Sequence, residues 1–457
     1  MSSEVENDII RVNNQLCNFS ADRKLFAVAF QTNLLVKDTK NFGTFQSFVF
    51  SDIIEYIEWS RNSEYILCAN IKKAVIQVYS IRYPQWRCKV IEGSAGLESV
   101  QWSPDSRHFL TLSDFNIQIT IWSLENQSMY HIQNLKSSSF NELKFSPCGT
   151  RLAVIVTEEG QDNVQIYKTD NWKLSRKLIC DRLSSIDGIC WSPNSELLCI
   201  WSSNSNQPKL IIYSTHHEKN IAIFCPKKTN NTVGAISNYG RDLIGIENVA
   251  WIPSGQLLAI TGFNEVVILL NHVTWQPLLR LYFDPVIREN NYLNKVYKEH
   301  VIQMKAANRP TGFFNKHVLE EQHERPINIR IGMKDENDKL SIAKTDILEF
   351  SACGQYLVLR HELYPSTLWI WNIIADYVDY VLLQNSIVAV KWNPAKAHLL
   401  IFCECAHMFE WTPSSATCIP TPRNITVLDA RWHPRGELVV LCGYNKAVTY
   451  YVDNKPQ

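Results

Sequence analysis

The chain has 457 residues, with 45 Lys+Arg balanced by 45 Asp+Glu, so its formal net charge is zero. No global electrostatic pull toward nucleic acid or acidic lipid is expected. Hydrophobic residues make up 46 %, including 14 Trp, 18 Tyr and 19 Phe, which excludes a disordered chain and supplies a large core.

The opening Met1–Ile10 stretch is acidic and polar, unlike a signal or transit peptide. No apolar run approaches the roughly 18 residues of a membrane helix, so no membrane insertion is expected. The thirteen cysteines are an odd number, and Cys68, Cys190, Cys199 and Cys442 sit inside apolar runs. They read as reduced, buried small hydrophobes in a cytoplasmic protein.

One short pattern recurs along the chain: an aromatic, a small polar residue, often Pro, then a polar turn and an apolar run. Its aromatics are Phe19, Trp59, Trp102, Phe145, Trp191, Trp251, Phe350, Trp392 and Trp432. Consecutive aromatics lie 40 to 46 residues apart, apart from gaps of 60 and 99. Two strand-like runs follow each token, as at His108–Leu112 and Ile117–Ser123, and the second alternates apolar and polar residues. A further strand fits before the next token, as at Asn220–Phe224. Four short strands in about 43 residues are the period of a propeller blade.

Nine tokens therefore predict an all-β fold, one closed ring of nine four-stranded blades over residues 1–457. A ring of seven or eight blades with degenerate units is the runner-up. The last unit holds only three strands after Leu428. The stretch Asp8–Val12 is expected to supply the fourth, pairing in the blade of Trp432 and covering an edge that would otherwise invite aggregation.

The 60-residue gap predicts a polar loop near Pro226–Arg241. The 99-residue gap predicts an insertion over Asp284–Lys344. Within it Leu293, Val296, Tyr297, Val301 and Met304 approximate helical spacing. Ile327, Ile329 and Ile331 alternate like a strand. Long loops in compact domains are often functional, so a partner-docking element is weighed here against a tolerated surface insertion.

No phosphate-binding loop, dinucleotide fingerprint, paired-histidine zinc motif or nucleophile elbow is present. No catalytic residue, cofactor or metal is therefore assigned. Cys403, Cys405 and His407 would share one face of a strand, and a packed strand is the simpler reading of them than a metal site. The basic residues are too sparse and too balanced by acids for a nucleic-acid footprint.

These repeats resemble the WD-repeat family over nearly the whole chain. The Trp-Asp pair that should end the second strand is missing from every unit. Lys37-Asp38 keeps the acid, while Trp122-Ser123 and Trp371-Asn372 keep the aromatic. The segments Glu92–Leu97 and Asn271–Trp275 resemble a narrower branch of that family. So do Ile57–Ser60, Ile66–Ala69 and the run Val296, Tyr297, Lys298 and Glu299.

The resemblance implies a non-enzymatic scaffold of centrosomes, centriolar satellites or spindle poles. Such proteins anchor microtubule minus ends, organise the mitotic spindle and support cilium assembly. Their partners are coiled-coil proteins of the synovial sarcoma X breakpoint-interacting type and, in fungi, a minus-end-directed kinesin. Tyr297, Lys298 and Glu299 are then the partner-binding candidates. Two alternatives stand beside this reading: a ribosome- or RNA-associated scaffold of the translation-initiation type, and a propeller hydrolase.

Overall fold

A computed structural model describes residues 9–93, 96–113, 118–136, 142–180, 182–183, 185–203, 207–226, 242–288, 294–305, 313–332 and 343–452. Among these residues there is no α-helix, and the fold is a β-propeller of nine four-stranded blades. Each sequence token lies at the end of a blade's first strand, as Trp59 ends Tyr56–Trp59 and Trp191 ends Gly188–Trp191. The runner-up counts of seven and eight are thereby set aside. Within each blade successive strands pair antiparallel in chain order.

The chain forms two compact units. Arg11–Pro226 carries blades one to five, and Lys227–Gln457 with Met1–Ile10 carries blades six to nine. In the first unit the apolar clusters lie between neighbouring blades. Ile66 and Cys68 of blade two pack with Ala27, Leu34 and Val36 of blade one. Their neighbours Leu67 and Ala69 turn the other way, onto Val100, Trp102 and Phe109 of blade three. A second strand buried on both faces has no polar side, which is why Ile66–Ala69 is a continuous apolar run. In the second unit Leu400 and Phe402 of blade eight likewise pack on Ala430, Val439 and Leu441 of blade nine.

The token aromatics join one blade to the next by a repeated hydrogen bond. The Trp59 indole N–H donates to the Asn18 carbonyl at 3.0 Å, that of Trp102 to Glu58 at 3.0 Å and that of Trp191 to Lys144 at 2.9 Å. Trp392 donates to Glu349 and Trp432 to Lys391, both at 3.3 Å. In each case the acceptor immediately precedes the previous blade's own token aromatic. The serine after the aromatic closes the hairpin: the Ser60 hydroxyl accepts the Tyr65 N–H at 2.9 Å and donates to Asn62 at 2.7 Å. Ser192 repeats both bonds with Leu197 and Asn194.

Each such turn also needs one left-handed residue, at Ser63 (φ 61°), Ser106 (φ 60°), Gly149 (φ 79°) and Ser195 (φ 63°). A non-glycine residue there is strained. The strained serines gain a bond in return. Ser63, Ser106 and Ser195 accept the backbone N–H of Asp22, Asn62 and Cys148 in the preceding blade, at 2.8, 3.0 and 2.9 Å.

Blade nine takes its fourth strand from the start of the chain. Ile10–Arg11 pairs with Lys446–Tyr451, outside Leu438–Cys442 and Asp429–Trp432, as the strand arithmetic requires. Asp8 lies outside the described residues, as do Leu293 and residues 227–241 of the expected polar loop.

Three local expectations are corrected. The helical spacing at Val296–Met304 is a strand, Val296–Lys305, because the exposed outer strand of blade seven captures it by backbone pairing. Cys403 and Cys405 do not lie on a strand. They fall in the hairpin between Leu399–Phe402 and His407–Trp411, where Glu404 turns the chain at φ 49°. The alternation at Ile327–Ile331 is a strand only at Ile327–Asn328, paired with Val286–Ile287.

Trp191 is buried, so Trp191→Ala should lower stability by roughly 3–5 kcal/mol. Trp191→Phe keeps most of the ring and loses the indole bond, and part of that cost, about 1 kcal/mol, should remain. Chemical denaturation checks both, and a Trp191→Phe midpoint equal to that of the wild type would refute the indole clamp. Ile10→Asp places a charge at a buried position and should lower the thermal midpoint, whereas Arg11→Asp on the exposed face should change stability by less than about 0.5 kcal/mol.

Candidate functional site

The insertion after blade six builds a hairpin from Val296–Lys305 and Phe313–Glu321. Only its base belongs to the body. Val296, Tyr297 and Lys298 pair in parallel with Tyr380, Val381 and Leu382 on the outer strand of blade seven. Beyond Lys298 the hairpin is no longer paired to blade seven. Burial follows this geometry: Val296, Tyr297 and Glu299 are buried, while Ile302 is 44 % and Met304 41 % exposed.

Alternation sorts the side chains into two faces. Tyr297, Glu299, Leu319 and His317 face the body, and Tyr297 and Leu319 join the apolar cluster between blades seven and eight. Lys298, Ile302, Met304, Lys316 and Glu320 lie on the opposite face and are exposed. Of the three residues singled out in the sequence, Lys298 alone presents its side chain to solvent. Burial pushes the Tyr297 phenol well above its usual range.

The base is fastened by polar contacts. Asn294 accepts the Val378 N–H at 3.1 Å, and the Lys295 carbonyl accepts the Tyr380 N–H at 2.8 Å. The Lys295 ammonium reaches the carbonyls of Pro413 and Ser414 in blade eight, at 3.3 and 3.4 Å. Asp379 is fully buried beneath this junction. It accepts the Lys295 N–H and the Trp411 indole N–H, both at 3.2 Å. Burial pushes its carboxyl up to about 6, although both hydrogen bonds pull the other way.

A second cluster lies under the hairpin's middle. The Glu299 carboxylate is held by the Gln384 N–H at 2.7 Å and by His317 Nδ1 at 2.6 Å, and His407 Nε2 stands 3.6 Å from it. The two imidazoles stack with centroids 4.0 Å apart. Cys405 Sγ lies 3.4 Å from His407 Nε2. Burial opposes the charge on His407, but hydrogen bonds and attraction from Cys405 and Glu299 prevail and hold its pKa at about 9. Burial also opposes the Glu299 charge, yet His407, the Gln384 N–H and His317 together lower its pKa.

The sequence pointed to Cys405 and His407 together but not to His317, Asp379 or Gln384. Their roles arise from the pairing of distant strands, and no local spacing marks them. Cys403 turns away into the apolar cluster between blades seven and eight. A separate polar cleft between blades three and four is lined by Asp105, Arg107, His108, Arg151, Lys168 and Trp172. Its acid–histidine pair, 2.7 Å apart, is structural, because Asp105 also accepts the N–H groups of Arg107 and His108 and so closes the blade-three turn.

No family model matches the chain. It is 29 % identical over 459 residues to WD repeat-containing protein WRAP73 of Mus musculus, covering 97 % of this chain and 95 % of that protein. An uncharacterized WD repeat-containing protein of Schizosaccharomyces pombe is 22 % identical over 387 residues, covering 79 % and 73 %. Among solved structures, the C-terminal WD40 domain of Sif2 aligns over 97 % of both chains at 10 % identity and a TM-score of 0.48.

The raised pKa of Asp379 has a signed consequence. A carboxyl whose folded pKa exceeds its unfolded value binds its proton more tightly when folded. Its contribution is therefore complete below about pH 4 and is lost as pH rises to about 6, a change on the order of 3 kcal/mol. The stability difference between wild type and Asp379→Asn should shift by that order between pH 4 and pH 7, in favour of the variant at the higher pH. A pH-independent difference in urea titrations would refute the assignment.

Proposed function

We propose that the chain is a WD-repeat protein and a non-enzymatic interaction scaffold of the centrosome, centriolar satellites or spindle pole. In this role it helps anchor microtubule minus ends, organise the spindle and support cilium assembly. The observation that carries the reading is the end-to-end similarity to WRAP73, at 29 % identity over 97 % of the chain. The segments Glu92–Leu97 and Asn271–Trp275, which resemble the same branch, support it.

The insertion hairpin is the docking element of this proposal. Its base is fixed by Asp379, Asn294 and Lys295, so its exposed face is presented without a large ordering cost. On that face Ile302 and Met304 form an apolar pair among Lys298, Lys316 and Glu320. An apolar centre inside a charged rim suits a helix of a coiled-coil partner of the synovial sarcoma X breakpoint-interacting type. A minus-end-directed kinesin would join through that partner.

A tagged chain should concentrate at centrosomes or spindle poles and capture a coiled-coil protein from mitotic extract. The double variant Ile302→Lys with Met304→Lys should fold normally by circular dichroism and lose most of the captured partner. A diffuse signal that co-sediments with ribosomes would overturn the spindle-pole reading. Undiminished capture by the folded variant would remove the hairpin from the interface.

A further inference from the structure

We propose that Glu299, His317, His407 and Cys405 form a structural zinc site that ties the insertion hairpin to blade eight. The four residues come from three separate segments. Glu299 and His317 sit on the two strands of the hairpin, and Cys405 and His407 lie at the blade-eight turn. The donor atoms of Glu299, His317 and His407 lie within 4.8 Å of one another, and Cys405 Sγ adjoins this group on the His407 side. Glu299 Oε1 is 2.6 Å from His317 Nδ1 and 3.6 Å from His407 Nε2, and Cys405 Sγ is 3.4 Å from the same Nε2.

Zinc ligands at about 2.0–2.3 Å in a tetrahedron stand roughly 3.3–3.7 Å from one another. The last two separations already match. The first is a hydrogen bond between two ligands, and it would open by about 0.7 Å as the metal replaces the shared proton.

The chemistry of the set agrees with the geometry. Two neutral imidazoles, one carboxylate and one thiolate carry two negative charges, which balance a divalent cation in a buried place. Mixed nitrogen, oxygen and sulfur donors in four-fold arrangement suit zinc better than the hard cations, which take oxygen. The Glu299 side chain is 1 % exposed and His407 13 %, so water is largely kept from the centre. The backbone N–H of Gln384, 2.7 Å from Glu299 Oε2, fixes the carboxylate and leaves Oε1 aimed at the histidines. Binding releases the Cys405 thiol proton and the proton shared between Glu299 and the imidazoles. The result is a closed, non-catalytic centre that sets the pose of the hairpin independently of what the hairpin binds.

The full chain, purified without chelator, is expected to hold about one zinc per molecule by elemental mass spectrometry. After chelation, cobalt(II) should restore the strong visible bands of tetrahedral coordination together with a thiolate-to-cobalt band in the near ultraviolet. Cys405→Ser should remove the thiolate band, and His317→Gln with His407→Gln should abolish both signals and the bound zinc. Should the variants fail to fold, the wild-type chain still decides: its thermal midpoint should fall on chelation and recover with zinc but not with magnesium. Weak octahedral cobalt bands, no zinc before or after reconstitution, or zinc content unchanged in the double-histidine variant would overturn the site. So would a thiolate band that survives Cys405→Ser, because the metal would then sit on other cysteines.

Discussion

The bond from a token tryptophan to the carbonyl just before the previous blade's token aromatic is the constraint on which the blade architecture rests. It recurs at Trp59, Trp102, Trp191, Trp392 and Trp432 with acceptors 41 to 47 residues back. Each bond contributes only about 1 kcal/mol net. Its larger effect is geometric, because a buried indole N–H is costly without an acceptor, and among the token tryptophans that of Trp251 alone is left without one. That requirement fixes where one blade sits on the next within each unit. Where the token aromatic is Phe that bond is not made, and the ring packs within its own blade, as Phe19 lies against Phe26 at 4.7 Å and Phe145 against Trp172 at 6.5 Å.

The same register explains how the chain manages without the Trp-Asp ending of the repeats it resembles. Tyr79 takes the position of that tryptophan in blade two, and its hydroxyl donates to the Val49 carbonyl of blade one at 3.0 Å. In blade three the Trp122 indole bonds to the Thr111 hydroxyl at 3.0 Å, within its own sheet. These two blades meet the need with different residues, while the indole N–H groups of Trp172 and Trp201 are left without an acceptor, so the apolar faces bear most of the stability. This freedom lets the motif degrade without loss of the blade.

The insertion shows the opposite economy. Blade seven presents an outer strand with unpaired backbone groups, and the chain covers it with part of its own insertion. Three paired residues then commit the strand beyond them to leave the blade, which is why Ile302 and Met304 are exposed while Tyr297 and Glu299 are buried. The residues that seat the hairpin, Asp379, Trp411 and Gln384, belong to blades seven and eight and the link between them. Hairpin pose and blade packing are therefore mechanically joined.

Blade number, strand order and the loan of Ile10–Arg11 to the last blade were legible in the sequence. They follow from local signals: an aromatic at a strand end, a polar turn and an apolar run whose length matches one strand. The resemblance that underlies the functional reading was legible for the same reason, because the repeats run along the chain. The insertion was not. Its helical spacing over Val296–Met304 was a coincidence of apolar positions, overridden by a free strand edge that exists only once blade seven has folded. The convergence of Glu299, His317, Cys405 and His407 was hidden likewise, although Cys405 and His407 were noticed. Residues more than a hundred positions apart meet there because backbone pairing and inter-blade packing bring them together, and tertiary structure alone decides that.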